Sequence, residues 1–219
     1  MTDLPADPTV DEIRAVLAPL VARNAAFDGW NKDAVTMAAQ QAGVNPDIAR
    51  LAFTNPMSMI DAWFAHIDAQ MEADCTPERL SNLSIRGKIE ALVLNRLTQL
   101  YRNREALRRA LSILAMPTNI TRAAQLGWRS ADAMWRAIGD TSVDFNYYSK
   151  RMTLTALYSS TLLAFLNDES EDFADTRAFL VRRIQSVMKI EKTKAQWRAR
   201  AEHRPSLARF VGRLRYRAR

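Results

Sequence analysis

Residues 31–56 read NKDAVTMAAQQAGVNPDIARLAFTNP. Asn31 carries a side-chain oxygen that can cap a helix start. A short helix over 32–41 is expected to stop at Gly43, a residue that tolerates the left-handed conformation of a helix end. Asn45-Pro46 opens a second short helix reaching residue 53, with proline at the first helical position, where its missing N–H costs nothing. Two short helices joined through Ala42-Gly43-Val44 read as a helix-turn-helix. Asn55-Pro56 repeats the start signal and begins a longer helix, with Met59, Trp63, Ile67 and Met71 on its inner face.

Toward the N-terminus, Thr9 can cap a helix whose apolar face is Val10, Ile13, Leu17, Leu20 and Val21, ended by Asp28-Gly29. Toward the C-terminus, Thr76-Pro77 breaks the chain and residues 81–84 read as a polar linker. Helices follow over 85–101, over 105–115 to a stop at Pro117, from a cap at Thr118 or Asn119 to residue 138, over 144–166, and over 173–200. No segment alternates as a strand does. The expected fold is all-α, a helical bundle with an N-terminal helix-turn-helix and a C-terminal amphipathic helix. The N-terminal order of elements matches that of TetR-type regulators. Three regions are expected: 1–74 with the helix-turn-helix, 75–200 as the helical core, and 201–219 as a basic amphipathic helix.

The net charge of +7 is unevenly spread. From residue 189 to the end there are eleven Lys or Arg and two acids, which leaves the rest of the chain at −2. The basicity therefore belongs to the tail. There, Leu207, Phe210, Val211 and Leu214 fall at i, i+3, i+4 and i+7 among Arg209, Arg213, Arg215, Arg217 and Arg219. Such a stripe suits an anionic membrane interface. Folding back on the domain, nucleic-acid binding and docking in a partner's groove are the other readings. The helix-turn-helix itself is poor in phosphate-contacting bases, with Asp47 and Arg50 the charges of its second helix, so nucleic acid is not the expected partner. The acids at positions 3, 7, 11 and 12 are wrong for a secretory or transit peptide. The single cysteine, Cys75, suits a reducing compartment. Together these features lead to the expectation of a bacterial cytoplasmic protein, peripheral on the inner face of the cytoplasmic membrane.

Between the last long helices lies residues 133–151, AMWRAIGDTSVDFNYYSKR. Gly139 ends one helix, and Ser142 or Asp144 can cap the next. The corner gathers Trp, Tyr and Arg, types that dominate binding hot spots; packing of the corner is the alternative use for them.

These residues carry a resemblance. The run from Ala110 through Met116-Pro117 to Ile120, then Met134-Trp135, Gly139-Asp140, Ser142, Asp144-Phe145-Asn146-Tyr147-Tyr148, and Asp172-Phe173-Ala174-Asp175-Thr176 with Phe179-Leu180, resembles the lipid-binding accessory protein family of coenzyme Q (ubiquinone) biosynthesis, the ninth in that pathway's naming series. The resemblance implies a TetR-like fold, an isoprenoid quinone lipid as ligand, a membrane-binding C-terminal helix, and the di-iron demethoxyubiquinone hydroxylase as partner. Carried over by position, the partner patch is Met134, Asp144, Tyr147, Tyr148 and Arg151. The membrane helix is Leu207, Arg209, Phe210, Val211, Arg213 and Leu214. The second half also offers Met116, Leu126, Met152, Leu162, Phe165, Phe179 and Met188 as flexible or bulky apolar candidates for a lipid pocket, with an ordinary core as the alternative. A homodimer is the default assembly, two-fold dimers being the commonest.

Catalytic signatures are missing. His66 and His203 are far apart and lack ligand-spaced partners. No Glu-x-x-His pair, Cys-x-x-Cys, Walker loop or dinucleotide glycine fingerprint occurs. His66 reads as a packed or rim residue, Cys75 as structural, and the acid pairs at 168–169 and 171–172 as solvated loop. The expectation is a protein without enzymatic activity and without a cofactor.

Overall fold

The structure is a computed structural model and describes residue 5 and residues 7–202. Its elements are α1 (Val10–Asp28), α2 (Lys32–Ala42), α3 (Pro46–Ala52), α4 (Pro56–Asp74), α5 (Pro77–Leu80), α6 (Ile85–Tyr101), α7 (Arg104–Leu114), α8 (Ile120–Ala137), α9 (Asp144–Leu166) and α10 (Ala174–Glu202), with single 3₁₀ turns before α8 and α10. No strand occurs among the described residues.

Each start and stop has a local cause. Thr9 and Glu12 exchange hydrogen bonds as a capping box at α1, the Thr9 N–H donating to Glu12 Oε2 at 2.8 Å. Asn31 caps α2 by accepting from the N–H groups of Asp33 and Ala34. Gly43, at φ +71°, closes it with paired bonds from Gly43 N to Gln40 O and from Val44 N to Ala39 O. Proline at the first helical position opens α3 and α4. The four residues of α5 lie just before the expected polar linker, which is itself a turn.

The interior forms where the apolar faces meet. Ile13, Leu17 and Val21 of α1 are buried, as are Met59, Trp63, Ile67 and Met71 of α4. Val10, expected on the inner face of α1, is half-exposed at the first residue of the helix. Trp30 stacks against Trp63 at 5.4 Å and donates its indole N–H to the carbonyl of Ala106 on α7 at 3.1 Å. The helix-turn-helix and the following core thus share one interior, and both fall within the compact unit that ends at Leu180. A second unit begins at Val181, and its described part is the continuation of α10.

A charged cluster ties α4 to α6 and α8. Arg96 of α6 is fully buried, pairs with Asp68 and donates to Ser130 Oγ at 3.0 Å. Arg129 of α8 bridges Asp68 and Asp61, and Arg122 also reaches Asp61. Burying an arginine is tolerable only with such partners.

Candidate functional site

The corner between α8 and α9 is built on a reverse turn. Gly139, at φ +82°, lets its N–H reach Arg136 O at 2.9 Å while Asp140 N reaches Trp135 O at 3.0 Å. Neither expected cap forms at α9. Ser142 donates to Asp140 Oδ1 at 2.7 Å instead, and Asp144 enters the helix at φ +58° with Val143 in the capping position. The turn has made Asp140 the better acceptor. Lys150 Nζ also binds it at 2.7 Å and Arg151 at 3.4 Å. Burial pushes the Asp140 carboxyl up, but the hydrogen bonds from Lys150 and Ser142 outweigh this and hold it below the usual carboxylate range.

Arg151 is the keystone of the corner. It is 2% exposed, donates to Asp132 Oδ1 at 2.6 Å and lies 3.5 Å from the centroid of the Tyr147 ring. Met134, on α8, is fully buried. The expected partner patch therefore divides. Met134 and Arg151 offer no surface, because their types suit burial once paired or packed. Tyr147 is half-buried, with its hydroxyl on Asp132. Asp144 and Tyr148 are exposed, and Phe145 and Val143 join them at 70% exposure each. Tyr148 stands edge-on to Tyr147 at 5.2 Å and near Trp128 at 6.0 Å. Asp132 and Lys150, which hold the corner, carry no sequence motif, and Asp140 stands in the sequence only as part of the resemblance, without this role.

An apolar cavity of about 250 Å³ lies between α4, α7, α8 and α9. Phe64 comes from α4, Leu111 and Leu114 from α7, Leu126 and Ser130 from α8, and Tyr158, Leu162 and Leu163 from α9. On each of α7, α8 and α9 the lining positions recur at three- and four-residue steps, so each helix turns one face to the space. Ala115, Ala123 and Gly127 supply the room. Of the residues expected to contact lipid, Leu126 and Leu162 line this cavity. Met116 and Met152 are exposed instead. Phe165 is fully buried against Phe173 at 5.5 Å and under the Arg104 guanidinium. Phe179 is half-buried near the start of α10, and Met188 belongs to the second unit. The membrane-helix residues 207, 209–211, 213 and 214 lie outside the described residues.

Three larger grooves carry charged side chains in their lining; the smallest of them, about 420 Å³, is lined by Trp63, His66 and Arg102. Another, of about 640 Å³ between α1 and α4, is lined by Arg14, Asp61, His66 and Arg122, and the third, of about 770 Å³, by Arg23, Arg102 and Glu105. His66 is half-buried, and burial lowers its pKa. Burial also pushes the Cys75 thiol up, away from nucleophile chemistry. No cluster of three or more His, Cys, Asp or Glu among the described residues could hold a metal ion.

Residues 120–191 match the COQ9 family model. Over 181 residues, 80% of this chain, the sequence is 32% identical to ubiquinone biosynthesis protein COQ9, mitochondrial, of Rattus norvegicus. The chain belongs to the COQ9 family. It is likewise 31% identical over 181 residues to the Homo sapiens protein of that name. The chain spans 58% and 57% of the length of these two relatives. The fold is that of TetR regulators: a TetR transcriptional regulator from Nitrosomonas europaea aligns with a TM-score of 0.63 at 24% identity, covering 80% of this chain and 97% of that one. The region matched by the COQ9 model contains α8, the corner, α9 and the start of α10, and therefore two walls of the cavity. No helix among the described residues is long and apolar enough to cross a membrane.

Proposed function

We propose that this COQ9-family chain is a non-enzymatic lipid-binding accessory protein of ubiquinone biosynthesis. It takes an isoprenoid quinone intermediate from the membrane and presents it to the demethoxyubiquinone hydroxylase. The observation that carries the reading is the cavity. In a chain of this family, four helices leave between them an apolar cavity that opens to the surface at Leu163. The exposed cluster Val143, Phe145 and Tyr148 beside Trp128 is the surface that meets the hydroxylase in this scheme. Arg151, buried against the Tyr147 ring, holds the corner in place. Residues 201–219 supply the contact with anionic lipid through the Leu207, Phe210, Val211 and Leu214 stripe and its arginines. Removing apolar surface from water stabilises the bound lipid by ~25 cal/mol per Å², which gives a sheltered route from bilayer to enzyme its physical advantage.

The test is organic extraction of the purified chain followed by mass spectrometry. The expected result is co-purifying prenylated quinone or phenol from the unaltered chain, and its loss from Ala123→Phe, which places a ring in the cavity. A chain that carries no such lipid, or an Ala123→Phe variant that carries as much as the parent, overturns the proposal.

A DNA-binding regulator is the second reading, favoured by the intact helix-turn-helix. Its electrostatics argue against it. Between them α2 and α3 hold two bases, Lys32 and Arg50, and two acids, Asp33 and Asp47. Arg50 is engaged by Asp47 at 3.0 Å and Thr36 at 3.1 Å. Phosphate contacts by several free bases supply most non-specific DNA affinity. A specific mobility shift with no co-purifying lipid would turn the conclusion toward the regulator.

A further inference from the structure

We propose that the inner wall of the cavity is a head-group subsite, where Tyr158 donates a hydrogen bond to an oxygen on the ring of a prenylated aromatic ligand and the chain leaves past Leu163. This rests on the cavity being the lipid site. It adds which end of the ligand enters first and which residue reads it.

Size is the first argument. The cavity measures about 250 Å³. An apolar space of ~150 Å³ accepts benzene, whereas pockets that enclose drug-sized ligands run ~300–1,000 Å³. A substituted ring fits. A ring together with several isoprene units does not.

Chemistry is the second. A space meant only for hydrocarbon would be lined only by hydrocarbon. Here Tyr158, 2% exposed, and Ser130, 1% exposed, are both part of the lining. The Tyr158 hydroxyl is buried and makes no hydrogen bond of good geometry among the described residues; the Arg96 guanidinium beside it can only donate, so the hydroxyl proton has no acceptor. Native structures pair the large majority of such groups, so an orphan calls for an explanation. Ser130 Oγ accepts from Arg96 Nη2 at 3.0 Å and keeps its own O–H to donate. Arg96 lies 4.8 Å from the Tyr158 ring centroid, with its charge balanced by Asp68. The subsite therefore asks for a neutral oxygen, not an anion. Burial pushes the Tyr158 hydroxyl up, so it stays protonated and acts as a donor at neutral pH. A phenol, quinone or aryl ether oxygen satisfies it; a bare prenyl chain does not.

The way out is the third. Leu163 lines the cavity and is 60% exposed, which places it at the mouth. Exposed Met116 follows lining Ala115, and exposed Ile120 precedes lining Ala123 by one turn. These side chains continue the apolar surface for a chain whose ring is inside. Ring-inward is the carrying arrangement, and delivery requires the ring to leave.

The experiment is isothermal titration of the full chain and of Tyr158→Phe with two probes, 2-prenylphenol and prenylbenzene, which differ by one hydroxyl. The expected result is a tenfold loss of 2-prenylphenol affinity in Tyr158→Phe, with prenylbenzene changed less than twofold. The free variant should melt close to the parent, since the hydroxyl it loses makes no hydrogen bond of good geometry. Equal losses for both probes, no loss for either, or a clearly destabilised free variant would each overturn the head-group subsite while leaving the cavity as a lipid site. If neither probe binds the parent, the cavity reading fails and takes the subsite with it.

Discussion

Replacing Arg151 by Ala tests whether the aromatic corner is a scaffold or a bare contact surface. The guanidinium sits between Asp132 at 2.6 Å and Asp140 at 3.4 Å, donates to the Tyr147 carbonyl at 3.2 Å, and covers the Tyr147 ring. Removing one partner of a buried pair costs ~3–5 kcal/mol when the other charge is left alone. Here the acids keep other partners: Asp140 retains Lys150 at 2.7 Å, and Asp132 retains Arg136 at 3.2 Å. That lowers the Coulombic loss, while the lost ring contact adds ~0.5–2 kcal/mol. The net expectation is a destabilisation of about 2–4 kcal/mol. For a chain of this size each kcal/mol moves Tm by ~2–4 °C, so the melt should fall by roughly 4–16 °C. Urea denaturation followed by circular dichroism gives the free energy, and a thermal melt gives the shift. Tyr148→Ala is the control. Its ring is 58% exposed and has only edge contacts, so it should cost about 1 kcal/mol or less while weakening hydroxylase binding in a pull-down. An Arg151→Ala variant within 0.5 kcal/mol of the parent, a threshold set at roughly the scatter of surface substitutions, would refute the keystone role. A Tyr148→Ala variant that unfolds would make the outer tyrosine core as well.

Two further outcomes follow from the backbone and from titration. Gly139→Ala should cost ~1–2 kcal/mol in the same urea assay, because an L residue is forced to positive φ; nothing lies within 4 Å of the added Cβ, so the loss is conformational and not steric. Asp168 receives the N–H groups of Ser170 at 2.8 Å and Thr176 at 2.7 Å. Burial raises its pKa, but these bonds and that from the Ser170 hydroxyl bring it from 3.8 to about 2. With the folded value below the unfolded one, the stabilisation is complete above pH ~4 and is lost as pH falls toward 2. Stability measured across that window should drop in the parent and drop less in Asp168→Asn; parallel curves would show that the Asp168 charge does not hold the start of α10.

The helices were legible because every long one repeats its apolar residues at helical spacing, and because Thr9, Asn31, Pro46 and Pro56 mark starts while Gly43 and Gly139 mark ends. The four-residue α5 was not, being too short to show a period. At the corner, residue types were read correctly and their exposure was not. Arg151 looks like a surface hot spot until Asp132 and Asp140 are folded against it, and that juxtaposition depends on the turn at Gly139. The cavity was the least legible feature. Leu111, Leu126 and Leu162 have the pattern of ordinary core residues, and an empty space is a difference between the volumes of four helices, which no single segment encodes. Methionines were expected at the lining for their flexibility, yet Met116 and Met152 face outward. The small residues Ala115, Ala123 and Gly127 were the available hint.

One helix joins the regulator-like half of this fold to the cavity. On α4, Trp63 packs against Trp30 while its neighbour Phe64 lines the cavity. A turn to either side, Asp61 and Asp68 hold Arg122, Arg129 and Arg96. The same helix thus packs on α1, which carries the helix-turn-helix, and is a wall of the cavity and the acidic partner of α6 and α8. A buried ion cluster is weak support for stability but strongly restricts geometry, since moving one member strands the others. The helix-turn-helix, in which Arg50 is engaged by Asp47 and Thr36 and Lys32 is the remaining base, packs on α1, and α1 packs on α4. In the proposed function its work is to steady α1 and, through α1, α4. With α4 fixed, Arg96 and Ser130 keep their place, and the Tyr158 hydroxyl proton remains without an acceptor until a ligand oxygen reaches it.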